Sequence, residues 1–210
     1  MPGRPPRPSP SAAPSAPAGP AGWTDFALAD SDVRLSLPDT WLVLDKAELA
    51  DPDERASLES RFAGADQLFD QLDAQGSRAP LVLLGVDPRE DGTGRFPVVV
   101  TVVNVEPPLP ELLVGVGADF AAEAFERTFE LESEVTQGDI ETPLGGGIRL
   151  QFDHRLVGPE GGPGFGIEHD GAIVTTGDAT FLVSRNVDPD TAPIDTPTLE
   201  EILATLRVEP

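Results

Sequence analysis

The chain has no cysteine, and Lys46 is its one lysine in 210 residues. Without a thiol there is no disulfide framework, no thiolate metal site, no cysteine nucleophile and no side chain to carry a lipid anchor. Basic groups are scarce altogether, 14 against 37 acidic ones, for a formal charge of -23. Such a surface repels nucleic-acid backbones and anionic membrane surfaces, so neither is expected as a partner. Long apolar runs are also missing: no stretch approaches the roughly 18 residues of a membrane span. The basic start lacks the apolar region of a secretory signal. These absences predict a cytoplasmic protein without membrane insertion, exported only if the true start lies elsewhere.

Residues 1–21 hold proline, alanine, serine and glycine, with nothing apolar larger than alanine after Met1. A segment of that composition cannot bury enough surface to offset its ordering entropy, so a disordered, partly polyproline-like tail is expected there. Pro2, Pro5 and Pro8 have PxxP spacing, which composition alone also produces. Arg4 and Arg7 are the only charged residues of the tail, leaving twelve basic against 37 acidic groups in the rest, a formal charge of -25. Residues 22–210 are expected to form one α+β domain.

In that body the period of the apolar residues changes repeatedly. Val33, Leu35 and Leu37 alternate with Asp32, Arg34 and Ser36 as in a half-buried strand, and TWLVLD (40–45) follows a Pro38-Asp39 turn. Asp51 and Pro52 open a helix whose stripe is Leu58, Phe62, Ala65, Phe69 and Leu72. LVLLGVD (81–87) and FPVVVTVVNVE (96–106) read as a central hairpin. Residues 111–132 return to helical spacing, with Leu112, Val116, Phe120, Ala124 and Thr128 on one line and Leu113, Phe125 and Phe129 widening it, a broad amphipathic face whose phenylalanines are expected in the core. Three strands follow, around 148–156, 165–176 and 180–187, and a capping box of Thr198 and Glu201 opens a closing helix carrying Leu199, Ile202, Leu203 and Leu206. This order predicts an α+β sandwich, a mainly antiparallel sheet of about six strands with helices on both faces.

The opening VRLSLPDTW (33–41) and the ending TFLVSRNV with TLEEILATLRV resemble the PsbP-like superfamily. That group includes photosystem extrinsic proteins, Ran-binding nuclear import factors and bacterial lipoproteins of the LpqN type. Over roughly residues 24–208 the resemblance implies a central antiparallel sheet between helices and a non-enzymatic binding or scaffolding role. It carries over no functional residue, because the known branches bind unrelated partners. The missing anchor cysteine departs from the lipoprotein branch.

Chemistry-bearing clusters are few. If the 157–164 loop closes a symmetric hairpin, His154 meets His169 across two strands beside Asp153, Glu168 and Asp170, a combination of ligand types used for zinc or iron. The competing reading keeps His154 as a histidine at the edge of the core and treats EHDG (168–171) as a strand end entering a turn. Ser184 and Thr180 lack a GxSxG elbow. The glycines at 145–147 and 161–164 lack the following GK[ST] of a phosphate loop and read as hairpin connectors. Asp188, Asp190 and Asp195, like Asp87, Glu90 and Asp91, are oxygen-rich loops outside the calcium-loop register. Trp23 and Trp41 read as core. No catalytic, cofactor-binding or metal-ligating residue is assigned, and no cofactor is expected. The reading is a non-enzymatic module that binds an unknown, basic protein partner; the alternative is a carrier of a small apolar ligand in a sheet-helix cavity.

Overall fold

The computed structural model describes residues 19–61, 69, 81–88, 97–156, 164–190 and 195–209. Most of the expected tail, the loops around 89–96 and 157–163 with Glu90 and Asp91, and the later part of the first long helix lie outside the described residues.

Eight strands make the main sheet. In spatial order they are β3 (Leu42–Asp45), β4 (Leu81–Val86), β5 (Val99–Asn104), β10 (Thr180–Val187), β9 (Phe165–Thr175), β8 (Gly145–Leu156) and, sharing the last edge, β6 (Glu130–Leu131) and β7 (Thr136–Thr142). Every pairing is antiparallel. The expected hairpin of β4 and β5 is present, and β5 lies between β4 and β10, which is why Val99, Val100 and Val102 are buried on both faces.

The alternating strand at 33–38 does not join this sheet. It forms β2 (Val33–Pro38), the centre of a separate three-stranded sheet with β1 (Trp23–Ala27) and β11 (Arg207–Val208). Leu28, Leu35 and Leu37 pack with Val100, Val102, Ala172, Val174, Phe181 and Val183 of the main sheet. Leu199, Ile202, Leu203 and Leu206 close the same core. They belong to a short helix, α4 (Leu199–Leu203), and its exit, and the expected capping box of Thr198 and Glu201 is formed. Arg149 holds this layer to the sheet: Nε and Nη2 donate to the two carboxylate oxygens of Asp170 at 2.7 and 2.6 Å, and Nη1 donates to Glu200 of α4.

The opposite face carries α2 (Pro52–Arg61) and α3 (Val114–Thr128), the latter led in by a 3-10 turn at Glu111–Leu113. A one-turn helix, α1 (Lys46–Leu49), precedes α2. Leu58 and Phe69 pack with Leu44, Leu84, Val86 and Val99. Val114, Ala118 and Phe125 pack with Leu150, Phe152 and Ile173. Helices on both faces of an antiparallel sheet are the α+β sandwich expected.

Candidate functional site

Alternation along β8 and β9 puts Phe152, His154, Ile167 and His169 on the face beneath α3. The hairpin register differs from the symmetric one: His154 stands opposite Ile167 and His169 opposite Phe152. The two histidines are therefore diagonal neighbours. EHDG is no turn either. β9 runs through it to Thr175, and Gly171 lets the strand continue under His169, whose Nε2 would lie 2.9 Å from a Cβ at that position.

The carboxylates expected beside the histidines are absent from this face. Asp153, Glu168 and Asp170 alternate to the other side of the sheet, where Asp170 is bound to Arg149. Aromatic rings surround the imidazoles instead. Phe152 stacks on His169 with centroids 4.3 Å apart, Phe125 of α3 lies 5.0 Å from His169, and Phe129 lies 4.5 Å from His154. Burial pushes His154 down to about 4, against a smaller opposing pull from Asp153 and Glu132. His169 is also pushed down to about 4 by burial, although its bond to Asn186 favours the charged form. Both rings are neutral at pH 7. Among the described residues no group of three histidine or acidic side chains has the arrangement of a metal site.

One arrangement here was not legible from spacing. His169 Nδ1 lies 2.8 Å from Asn186 Oδ1, and Ser184 Oγ and His169 Nε2 both border the Gly171 notch, 3.1 and 2.9 Å from where a Cβ would stand. Nucleophile, base and orienting amide are thus in the order that acyl transfer uses. The order is not a working site. Nε2 makes no hydrogen bond, and both side chains are buried beneath α3, closed to a substrate carbonyl. Thr180, the other hydroxyl considered, bonds to Thr175 and accepts from the Leu109 N–H.

The outer face of α3 reverses another expectation. Its inward stripe is Val114, Ala118, Ala122 and Phe125. Phe120, read as core, stands outside at 69% exposure with Val116 of its line at 48%, and Leu112 and Leu113 of the 3-10 turn leading in are exposed at 95% and 47%. Two faces of this segment are apolar, so spacing alone could not say which is covered. Phe125 marks the inner one through its contacts with Phe152 and His169. Exposed acids border the outer row: Glu111, Asp119, Glu123 and Glu126. Arg127, the basic residue of the helix, is paired with Glu123.

Elsewhere, Pro20, Pro143, Leu144, Ala204, Leu206 and Val208 line an open groove of about 720 Å³ beside β11. Glu201 of α4, the β7-β8 turn and Thr176 at the end of β9 complete its lining, so it sits where α4, the small sheet and the end of the main sheet meet. Gly145–Gly147, expected as hairpin connectors, are instead paired residues of β8 opposite Thr142, Glu141 and Ile140; the connecting turn is Pro143–Leu144, and Gly145 leaves it at φ +123°. Trp41 is buried and Trp23 partly so. No helix among the described residues is long and apolar enough to cross a membrane.

No protein-family model matches this chain, and no curated protein does. Among solved structures it is similar to the cyanobacterial PsbP protein (CyanoP) of Synechocystis sp. PCC 6803. The match has 9% identity and a TM-score of 0.47, covering 94% of this chain and 99% of that one.

Proposed function

We propose that this chain is a non-catalytic protein-binding module that meets its partner with the outer face of α3. The observation that carries the reading is the exposure of Val116 and Phe120, one turn apart on α3, together with Leu112 and Leu113 of the 3-10 turn that leads into it. Single exposed apolar residues are ordinary, whereas a contiguous row rimmed by polar groups marks a contact surface. An exposed aromatic side chain such as Phe120 is a common anchor of an interface. The acids around the row, and the formal charge of -25 outside the tail, favour a partner with apolar residues flanked by lysine or arginine. The resemblance to PsbP-like domains implies the same kind of role.

The test is a photo-crosslinking amino acid placed at Phe120, with Glu209 on the opposite layer as control, in the full chain expressed in its source cells. A discrete adduct at 120 that is absent at 209, and that disappears when Leu112→Glu is added, is the expected result. Equal labelling at both positions, or none at 120, overturns the reading. The carrier alternative receives less support, because the groove beside β11 and α4 is open to solvent and not enclosed between sheet and helix.

A further inference from the structure

The last strand position of the main sheet is an open edge. β7 pairs with β8 on one side, and among the described residues no strand pairs with the other. The backbone direction can be read from the neighbouring turn. The N–H groups of Glu132 and Ser133 donate to the Asp153 carbonyl at 2.7 and 3.3 Å, and the Asp153 N–H donates to Ser133 Oγ at 2.7 Å. Asp153 therefore aims both backbone groups at the β6-β7 edge, and so at every second residue do Gln151, Arg149 and Gly147. Their partners Thr136, Gly138 and Ile140 are turned inward. Gln137, Asp139 and Glu141 present three N–H and three C=O groups outward.

Edges of this kind are usually blocked by shortness, proline, lysine or a covering element. The far edge, β3, has four residues and runs into α1. β7 has seven, with an unbroken register and neither proline nor lysine. Residues that bond outward also share a side of the sheet. Gln137, Asp139 and Glu141 lie opposite Leu150, Ile148 and Gly146, the side that carries α3. Gln137 Nε2 donates to Asp119 Oδ1 on the flank of α3 at 3.1 Å, so edge and helix are adjacent.

We infer that the partner of α3 supplies an extended segment that adds to β7 as a further antiparallel strand, with basic side chains at alternate positions opposite Gln137, Asp139 and Glu141. The inference rests on the protein-binding reading and names the partner's binding mode. Main-chain hydrogen bonds give such a contact its affinity, and alternate side chains give its specificity. Acids at Asp139 and Glu141 repel a second copy of this edge and attract lysine or arginine, which commits the occupant to a basic strand. The Gln137–Asp119 bond puts the flank of α3 beside the strand edge such a segment would join.

The probe is an acetylated, amidated peptide, Thr-Lys-Val-Lys-Val-Lys-Thr, titrated into the full-length 15N-labelled protein. A second peptide of the same sequence is N-methylated on the backbone nitrogen of each lysine, which keeps its charge and removes the N–H groups that would face β7. The unmodified peptide should shift the amides of 136–142 and slow hydrogen exchange at Gln137, Asp139 and Glu141. The methylated peptide should bind about tenfold more weakly or worse, since one or two lost hydrogen bonds suffice for that factor. Gln137→Pro removes an outward N–H without changing charge or the inward ladder, and should weaken the unmodified peptide by a comparable factor. Equal affinity of the two peptides, or no binding of either, overturns strand addition. Shifts confined to α3 with equal affinities overturn it while leaving the protein-binding reading in place, and failed crosslinking at Phe120 removes that reading separately.

Discussion

At single residues, burial decides the chemistry. His154 and His169 are enclosed by Phe125, Phe129 and Phe152, and both titrate near pH 4 in the fold, against about 6.5 in an unfolded chain. Between those values the unfolded state binds more protons, so stability rises with pH across that window. The contribution is complete above pH 6.5 and is lost as pH falls toward 4, on the order of 3 kcal/mol for each ring. Urea unfolding from pH 4 to 7.5 should show the slope, and His154→Phe should remove about half of it; an unchanged slope would contradict the burial assigned to that ring. Gly147 is a steric test. A Cβ there would lie 2.5 Å from the Ile173 carbonyl oxygen, a backbone atom in the paired strand. Gly147→Ala should cost about 1 to 3 kcal/mol, read by the same urea titration.

At the level of elements, α3 has two apolar faces with different tasks. Phe125 is buried among Phe129, Phe152 and His169, whereas Phe120 stands in solvent. Phe125→Ala should destabilise the protein by about 3 to 5 kcal/mol. Phe120→Ala should change stability by less than about 0.5 kcal/mol, as surface substitutions do. Thermal melts of the two variants side by side decide the assignment; similar losses would mean that the helix is turned differently on the sheet. The edge strand β7 was not legible, since TQGDIET has one apolar residue and no run of β-branched ones. Its place comes from the tight turn to β8 and a ladder of seven paired residues, which are relations to another strand and not properties of the segment.

Across the whole molecule the excess of acid is a stored repulsion. Among the described residues Arg34, Lys46, Arg127, Arg149, Arg155 and Arg207 pair with acids. Screening that repulsion should raise the melting temperature as sodium chloride increases from about 0.01 to 0.5 M, where the Debye length falls below about 5 Å. Calorimetry checks this; a fall would show that the ion pairs, above all that of Arg149 with Asp170, outweigh the net charge. Association with a basic partner should weaken over the same range.

Several features followed from the chain alone. Period and turn residues marked the hairpin of β4 and β5, the strands β8 to β10 and the capping box of α4, because each is fixed by neighbours a few residues apart. Composition alone excluded thiol chemistry, since the chain has no cysteine. The register of β8 on β9 was a different matter, since one extra residue in a loop moves every cross-strand pair, and so the diagonal placing of His154 and His169 needed the fold. Which apolar line of α3 is covered, which strand leaves for the second sheet and which edge stays open are likewise outcomes of packing. They depend on what lies opposite in space, and a one-dimensional pattern records only that a face is apolar.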